Sequence, residues 1–492
     1  MAATFGYSGN TLLTVQEMYA ADAAAIDVGI DGITLMSNAG RSIAEAIVAR
    51  WSPRQTVVLC GPGNNGGDGF VVARLLTENG WNVRLISLVA LEKFTGDARH
   101  HAELWAGEIE QPESGIGDAE LVIDALFGAG LTREVDGVAR ELLEAAEGRD
   151  IVAVDVPSGV HGDTGQVLGY APQAALTVTF FRRKSGHLLL PGRVRCGEVL
   201  VTDIGTPLTV LDGIDPKQAE NGPELWVQAL HWPQPMDHKY FRGHALVVGG
   251  PVLTGAARMS AKAAQRAGAG AVTLAAPGDA LTVYKVTLES IMVAPFRDTS
   301  SLQDIVETPK VSAALIGPGA GLVTATRERA CMILRTGKPT VVDADAISIF
   351  EGAPELLFDS VKGSVVLTPH EGEFARLFPD LQGGRVFRAR AAAVRSNCVI
   401  LLKGYDTTIA APDGRVAINT NAPADLATAG AGDVLSGIIV ALLSQGIPAF
   451  EAACAGAWIH AESAAMFGPG LIPEDITAGL PAVLRKLKAF PL

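Results

Sequence analysis

The chain has 492 residues, about three times the ~150 residues of a typical domain, so we expect two large domains or three ordinary ones. Its 48% hydrophobic and 19% charged residues exclude a mainly disordered protein, and its net charge of −14 is unfavourable for binding nucleic acid or an anionic membrane surface. No apolar run approaches the ~20 residues of a membrane span, and the N-terminal residues MAATFGYSGN lack the features of a secretory signal. The five cysteines form no CxxC pair, which indicates buried free thiols in a reduced cytoplasm.

Short β-branched runs alternate with alanine-rich helical stretches along almost the whole chain. Continuous apolar runs of this length are typical of strands that are buried on both faces of a parallel sheet. The alternation stops between residues 205 and 242, where we place a domain junction. The pattern therefore predicts two α/β units in tandem. The predicted strands are residues 55–60, 82–89, 121–127, 151–156, 244–250, 271–277, 313–319, 339–345, 364–370 and 398–404.

A glycine-rich segment, GPGNNGGDG at residues 61–69, follows the first predicted strand and precedes a predicted helix. Gly61, Gly63 and Gly66 satisfy the G-x-G-x-x-G pattern, which binds phosphate at a helix N-terminus. The next strand, however, ends without the carboxylate that usually binds the ribose. The loop also carries two asparagines and an aspartate that an ordinary pyrophosphate loop does not need. The alternative is a glycine-rich turn that serves only tight packing.

Two further predicted strands end in polar residues. Asp124 lies in the run 121–127, and Asp155 and Ser158 lie at the end of the next run. Because ligands of open α/β sheets bind at the carboxyl ends of the strands, we expect the three loops to form one crevice. The oxygen atoms of Asn65, Asp124 and Ser158 suit a hard cation such as K⁺ better than zinc. The alternative for each carboxylate alone is a capping or structural role.

These motifs resemble those of the nicotinamide nucleotide hydrate epimerases. The similarity covers about residues 12–210 and includes ALFGAGLTRE, VDVPSGVHGDTG and the TVTF…K element at 177–184. The resemblance implies that the protein interconverts the R and S epimers of hydrated NADH or NADPH, and that Asn65, Asp124 and Ser158 hold K⁺. The substrate-binding residues that it implies are Asn64, Asn65, Gly66, Gly67, Asp68, Gly128, Ala129, Gly130, Leu131, Thr132, Arg133, Glu134 and Asp155.

Proton transfer at the hydrated carbon needs a group that titrates near neutral pH. Asp155 is the candidate, because partial desolvation at the strand end would raise its pKa. No pair of residues in this half forms a nucleophile–base motif. His161, just beyond the loop, is predicted to be a surface residue rather than a catalyst.

The densest signal in the second half is ATAGAGDVLSGI at residues 427–438. Gly430, Ala431 and Gly432 leave successive backbone N–H groups free before a predicted helix, which is typical of an anion hole for a phosphoryl group. Asp433 is then placed to accept a hydroxyl proton, and the alternative is that it is a plain helix N-cap. The chain has no G-x-x-x-x-G-K-[ST] motif, which excludes a Walker-type NTPase.

The region from about 236 to 485 resembles the ADP-dependent NAD(P)H-hydrate dehydratases, a branch of the ribokinase superfamily. The resemblance implies that Asp433 deprotonates the C6 hydroxyl of the S-hydrate, which attacks the terminal phosphate of ADP. Loss of phosphate then restores NADH or NADPH, with AMP as the second product. Besides the glycine-rich segment, the resemblance rests on residues 239–250, 254–270, 315–321, 341–347, 368–377 and 399–410.

This second resemblance also implies binding residues. Mg²⁺ is expected on the phosphates, held through water near Glu373. Residues 421–428 depart from the glycine-containing family pattern and include Asp425, so we expect an altered loop conformation or nucleotide preference. The implied residues are Ala256, Gly319, His370 and Asp433 for the hydrate, and Lys403, Gly404, Tyr405, Asp406, Thr407, Gly430, Ala431 and Gly432 for the nucleotide.

The two resemblances together predict an α/β protein with an N-terminal Rossmann-like domain at residues 1–215, a linker at 216–235 and a C-terminal ribokinase-like αβα domain at 236–492. They imply a cytoplasmic homo-oligomer that acts on NADHX or NADPHX and has no nucleic-acid or membrane partner. One alternative is a vitamin or sugar kinase of the ribokinase superfamily with an accessory ligand-binding domain. Another is a non-catalytic nucleotide sensor or scaffold.

Overall fold

The computed structural model describes residues 9–490, which form two compact units, the first ending at Gln218 and the second beginning at Ala219. The division lies inside the predicted linker at residues 216–235. The exact limits of the two domains, 1–215 and 236–492, remain predictions. Across residues 9–490, no helix is both long enough and apolar enough to cross a membrane. All five cysteines are buried free thiols, as predicted.

The first unit is built on one parallel sheet. Strands β2 to β8 form this sheet, whereas β1 and β9 lie outside it. The strands up to residue 220 are β1 Thr11–Leu12, β2 Gln55–Cys60, β3 Asn82–Ser87, β4 Ile109–Glu110, β5 Leu121–Ala125, β6 Asp150–Val154, β7 Leu176–Phe180, β8 Glu198–Thr202 and β9 Gln218–Glu220. Its helices are α1 Val15–Asp27, α2 Gly32–Val48, α3 Asn64–Glu78, α4 Gly96–Glu103, α5 Gly137–Ala145, α6 Gly192–Arg195 and α7 Val210–Ile214.

The seven strands of this sheet lie in the order β4–β3–β2–β5–β6–β7–β8, and every adjacent pair is parallel. Both faces of the sheet are covered, because Val58 and Cys60 of β2 join one apolar cluster and Val57 and Leu59 join another. This confirms the prediction from continuous apolar runs. The strand order reverses between β2 and β5, so the carboxyl ends of these two strands flank an open crevice.

The second unit also has a predominantly parallel sheet with helices on both sides. Its strands are β10 His244–Val248, β11 Ala271–Pro277, β12 Met292–Phe296, β13 Ala313–Ile316, β14 Thr340–Val342, β15 Val365–Leu367, β16 Val399–Leu402, β17 Thr408–Ala410 and β18 Val416–Ile418. Its helices are α8 Thr254–Arg266, α9 Leu281–Thr287, α10 Thr299–Val306, α11 Thr324–Arg335, α12 Asp345–Ser348, α13 Glu355–Phe358, α14 Glu371–Leu377, α15 Arg385–Ser396, α16 Ala431–Ser444, α17 Ala449–Ala465 and α18 Pro473–Lys488.

These strands follow the order β18–β17–β16–β15–β14–β13–β10–β11–β12. The seven from β16 to β12 are parallel, whereas β17 and β18 are antiparallel and were not among the predicted strands. The order reverses between β10 and β13, which places a second crevice at their carboxyl ends. Several predicted strands end early, β13 at Ile316 for example, because their last residues turn into the loops that border this crevice.

Two candidate active sites

A cavity of about 410 Å³ lies at the carboxyl ends of β2, β5 and β6 in the first unit, a size suited to a small-molecule ligand. The three predicted loops therefore converge on one crevice. Of the predicted binding residues, Gly66, Gly67, Thr132 and Glu134 do not line the cavity. Those that line it are Asn64, Asn65, Asp68, Gly128, Ala129, Gly130, Leu131, Arg133 and Asp155.

The predicted phosphate loop is shorter than expected, because α3 already begins at Asn64. Gly66 and Gly67 are therefore helical, and they serve close packing. A Cβ on Gly66 would lie 1.9 Å from the Gly61 carbonyl oxygen, and one on Gly67 would lie 2.6 Å from the Met36 sulfur. The ligand-binding and the packing interpretations of this segment are thus each supported in part. Its asparagines line the cavity, whereas Gly66 and Gly67 let the helix approach its neighbours.

Asp155 follows β6 in a left-handed conformation with φ of +66°, which is unusual for a residue other than glycine. Its Oδ1 accepts hydrogen bonds from Lys184 Nζ at 2.5 Å and from Thr179 Oγ1 at 2.9 Å, and its Oδ2 accepts from the Ala129 N–H at 3.1 Å. His187 Nε2 donates to the Asp155 carbonyl oxygen at 2.8 Å. These contacts hold the strained residue in one orientation at the cavity wall.

The expectation that the pKa of Asp155 is raised towards neutrality is wrong. Burial alone does raise it, but the buried Lys184 ammonium and the hydrogen bonds to the carboxylate outweigh burial and lower the pKa to about 2. Asp22 of α1, which lines the same cavity, behaves in the opposite way. Its burial raises its pKa to about 6, against a smaller lowering by Lys184. Asp22 therefore titrates closer to neutrality than Asp155.

The predicted potassium ligands Asp124 and Ser158 are in direct contact. Asp124 is fully buried, and its Oδ1 and Oδ2 accept from the Ser158 hydroxyl at 2.6 Å and the Ser158 N–H at 2.8 Å. Burial raises the pKa of Asp124 to about 6, and only hydrogen bonds from Ser158 and Leu126 oppose this effect. Asn65 lines the adjoining cavity, and its Nδ2 is buried without a hydrogen-bond partner among the described residues.

His161, predicted to be a surface residue, is half-buried, does not line the cavity, and accepts a hydrogen bond at Nδ1 from the Asp163 N–H. Sequence reasoning missed Tyr19, Asp22 and Lys184 as cavity residues. A signal for Lys184 was present, since it ends the TVTF…K element. Nothing in the local pattern distinguished Asp22 from a solvent-facing residue of an amphipathic helix.

In the second unit, the predicted anion hole lies at the start of α16. Gly430 is the N-cap, in a left-handed conformation with φ of +93°, and Asp433 lies in the first turn without capping the helix through its side chain. The N-cap alternative for Asp433 is therefore wrong. The Gly430 and Gly432 N–H groups donate to no other group in residues 9–490, whereas Ala431 N–H donates to the Thr428 carbonyl at 3.3 Å. Two of the three predicted N–H groups are thus free to bind an anion.

Asp433 is half-buried beside a buried ion pair. Lys403 Nζ donates to Asp343 Oδ1 at 2.9 Å, and the Ser436 hydroxyl donates to Asp343 Oδ2. Because Lys403 is bound to Asp343, its charge only partly offsets the effects of burial and of the Asp343 and Asp345 carboxylates on Asp433. The pKa of Asp433 rises to about 7, a value suited to a general base.

His370 caps α14 in a reciprocal arrangement with Glu373. His370 Nδ1 accepts from the Gly372 N–H at 2.9 Å and the Glu373 N–H at 3.2 Å, while Glu373 Oε2 accepts from the His370 N–H at 2.8 Å. Since Nδ1 accepts, a neutral His370 carries its proton on Nε2, which lies 3.5 Å from Glu373 Oε1. Glu373 Oε2 also lies 3.6 Å from Lys403 Nζ.

A cavity of about 450 Å³ lies next to these residues. It is lined by the predicted nucleotide residues Lys403, Gly404, Tyr405, Thr407, Ala431 and Gly432, together with His370. The divergent loop forms another wall through Ala422, Pro423, Ala424, Leu426, Ala427 and Thr428, whereas Asp425 is exposed and does not line the cavity. His460 of α17, missed by sequence reasoning, lines it as well.

The remaining predicted residues do not line this cavity, and they include Gly430 and Asp433 on either side of its wall residues Ala431 and Gly432. Asp406 does not line the cavity and is 3.5 Å from Arg385 Nε in a buried ion pair. Gly319 follows β13, and Gly250 follows β10. A Cβ on Gly250 would lie 1.5 Å from the carbonyl oxygen of Gly319, so the two loops touch at the point where the strand order reverses. Ala256 lies in the first turn of α8 nearby. Gly319 and Ala256, both predicted to bind the hydrate, thus lie outside the nucleotide cavity, although both regions are at the carboxyl ends of the strands of one sheet.

Residues 32–186 match the family described as YjeF-related protein N-terminus, and residues 245–470 match the NAD(P)H-hydrate dehydratase family. A bifunctional NAD(P)H-hydrate repair enzyme of Salinibacter ruber is 37% identical over 95% of this chain and 94% of its own. One from Thermofilum pendens is 36% identical over 94% of each chain. The solved structure of a ribokinase-like superfamily protein from Enterococcus faecalis is 26% identical with a TM-score of 0.50, covering 55% of this chain and 96% of that one. The chain therefore belongs to the family of bifunctional NAD(P)H-hydrate repair enzymes.

Proposed function

We propose that the first unit exchanges the R and S epimers of NADHX and NADPHX, and that the second dehydrates the S epimer with ADP as phosphoryl donor. The observation that carries the proposal is the placement of Asp433. It lies in the first turn of α16, next to Gly432, which lines the nucleotide cavity, and its pKa of about 7 lets it accept a proton near neutral pH.

In the dehydration reaction, Asp433 removes the proton of the C6 hydroxyl, whose oxygen attacks the terminal phosphorus of ADP and displaces AMP. The Gly430 and Gly432 N–H groups and the Lys403 ammonium stabilise the negative charge on the transferred group. The phosphate then leaves C6 with assistance from the lone pair of the ring nitrogen, and loss of a proton from the adjacent carbon restores the reduced nicotinamide. Phosphorylation is useful because hydroxide is a poor leaving group and phosphate is a good one.

In the epimerisation site, we assign Asp155 and Asp22 different roles. Asp155 remains ionised, and its fixed negative charge stabilises the positive charge that develops on the nicotinamide ring when the C6 hydroxyl leaves. Asp22 exchanges the proton with that hydroxyl, because its pKa of about 6 lets both protonation states occur near neutrality. Return of water to either face of the ring gives the R or the S epimer.

The residues around Asp124 fit a monovalent cation. The buried carboxylate lacks a compensating cation among the groups that lower its pKa, and the Ser158 hydroxyl and the Asn65 amide supply further oxygen ligands. K⁺ bound there would neutralise Asp124 and hold the loops after β5 and β6 against the cavity. The support is the chemistry of these side chains and their burial.

The described side chains around the nucleotide cavity offer Mg²⁺ few protein ligands. Glu373 does not line the nucleotide cavity, and one of its oxygen atoms already accepts from His370 N–H and faces Lys403. Within residues 9–490, no cluster of three or more histidine, cysteine or acidic side chains could hold a metal ion. We therefore propose that Mg²⁺ enters with the phosphates and keeps mostly phosphate and water ligands.

The deciding experiment is incubation of the full chain with the purified S-hydrate and either ADP or ATP, with absorbance of reduced nicotinamide as the readout. Recovery of NADH with release of AMP from ADP supports the proposal. A stable phosphorylated product without NADH would instead indicate a kinase. A cytoplasmic homo-oligomer is the remaining proposal, supported by resemblance alone and tested by cell fractionation and light scattering.

A further inference from the structure

The imidazole of His460 forms part of the wall of the nucleotide cavity and has a buried nitrogen without a partner. The residue lies in α17 and is 5% exposed. Its Nε2 makes no hydrogen bond within residues 9–490. His101 and His244 also bury an unpartnered ring nitrogen, but neither of them lines this cavity.

The pKa of His460 responds to a backbone hydrogen bond with Ala431, the first residue of α16, and because Nε2 has no partner we assign that bond to Nδ1. That contact raises the pKa of His460, so the ring donates to the Ala431 carbonyl. Burial has a larger effect and lowers the pKa to about 4, helped by the nearby Lys403 charge, so His460 is neutral at physiological pH. A neutral imidazole that donates through one nitrogen has a lone pair on the other. Nε2 is therefore an acceptor.

The chemistry of the cavity limits which part of a nucleotide can satisfy Nε2. Lys403, Gly404, Thr407 and Gly432 supply the polar groups suited to phosphate, while the divergent loop supplies mostly apolar side chains. An ionised phosphate oxygen has no proton to donate to Nε2. Ribose hydroxyls and the exocyclic amino group of a base do have protons. A buried acceptor that gains such a donor on binding gives strong discrimination against ligands that lack it.

We propose that His460 Nε2 accepts a hydrogen bond from a neutral donor of the bound nucleotide, either a ribose hydroxyl or the amino group of the base, and so determines nucleotide specificity. The proposal rests on the assignment of this cavity to the nucleotide. In addition, His460 links recognition of the nucleoside to the anion hole, because the same ring holds the Ala431 carbonyl at the start of α16.

Calorimetric titration of the full chain with ADP, 2′-deoxy-ADP, 3′-deoxy-ADP and inosine diphosphate tests the proposal. These three analogues each lack one candidate donor. We expect the wild type to bind one of them about 10- to 100-fold more weakly than ADP. His460→Asn keeps an amide donor near the position of Nδ1 but lacks Nε2. We expect this variant to bind ADP about 10- to 100-fold more weakly than the wild type does, and to bind the analogue that lacks the recognised donor as well as the wild type does. His460→Gln, which can place an acceptor near Nε2, is expected to recover part of the loss.

An equal loss for all four nucleotides in His460→Asn would overturn the proposal, since it would show a structural role through Ala431 alone. Equal binding of all four nucleotides by the wild type would also overturn it. The ¹⁵N resonance of His460 Nε2 in the wild type gives a test without a substitution, because we expect it to shift with ADP and not with the deficient analogue. If the wild type binds none of these nucleotides, the proposed function itself fails.

Discussion

Each of the two units has a buried lysine–aspartate pair at the carboxyl ends of its strands. The pairs differ in whether the lysine binds the aspartate that the sequence predicts to be catalytic or a neighbouring aspartate. In the first unit, Lys184 binds Asp155, the residue that the sequence singles out. In the second, Lys403 binds Asp343, and the singled-out Asp433 lies outside the pair. The pKa of Asp155 is consequently about 2 and that of Asp433 is about 7.

This difference shows that a buried carboxylate at a strand end or helix start is not a base by position alone. A cation in direct contact converts it into a permanent anion, which suits electrostatic stabilisation of positive charge. A cation bound to a neighbouring carboxylate leaves it able to gain and lose a proton. The two units therefore use similar side chains for different tasks.

The strongest test of the comparison is Asp433→Asn, which keeps the shape and removes the base. We expect recovery of NADH from the S-hydrate to fall by roughly 10³-fold or more, while epimer exchange is unchanged. Absorbance measures the first activity, and chromatographic separation of the R and S forms measures the second. Dehydration that survives the substitution would refute the role of Asp433, and equal loss of both activities would indicate misfolding.

Lys184→Met tests the other half of the comparison. The substitution leaves the Asp155 charge buried and unpaired, so we expect a loss of about 3–5 kcal/mol in the free energy of unfolding and a large loss of exchange activity. Because the folded-state pKa of Asp155 is depressed, the pair stabilises the wild type above about pH 4, and that contribution disappears as pH falls towards 2.

Urea unfolding at several pH values measures this effect. The double variant Lys184→Met/Asp155→Asn is the matched control, and it should regain part of the lost stability because no unpaired charge remains. A double variant that is no more stable than Lys184→Met would contradict the account, as would a Lys184→Met protein with wild-type stability.

The pH dependence of the two reactions should differ within one chain. Dehydration requires ionised Asp433, so kcat/KM should rise about tenfold per pH unit below 7 and level off above it. The rate of epimer exchange should instead change with pH around 6, the pKa of Asp22. In Asp22→Asn, exchange should be slower and lose its pH dependence near 6, whereas dehydration should keep its wild-type profile. An unchanged exchange profile in Asp22→Asn would remove Asp22 from the mechanism.

The smallest expected effect is that of the monovalent cation. Replacing K⁺ by Na⁺ or Li⁺ should slow epimer exchange several-fold and leave the chemical step of dehydration unaffected, because Asp124 and Ser158 lie in the first unit only. Ser158→Ala should weaken the dependence on K⁺. Exchange rates that do not change with the cation would withdraw the assignment of Asn65, Asp124 and Ser158.

Local patterns predicted much of the fold. Each of the ten predicted strands occurs, because a run of apolar β-branched residues between turns can be buried only inside a covered sheet. The start of α3 was misplaced by several residues, because glycine has low helix propensity and only packing against Met36 and Ala98 explains helical Gly67. The antiparallel strands β17 and β18 were also missed, since each has only three residues and lacks a distinctive period.

The sequence by itself determined the family, the two α/β units and the loops that form each site, because glycine-rich turns and strand ends are local features that dictate where backbone and ligands can meet. Only the tertiary structure decided the charge states of the acidic residues. Those depend on contacts between residues far apart in the chain, 29 residues for Lys184 with Asp155 and 60 for Lys403 with Asp343. Burial and the nearest opposite charge set a pKa, and neither can be read from neighbours in sequence.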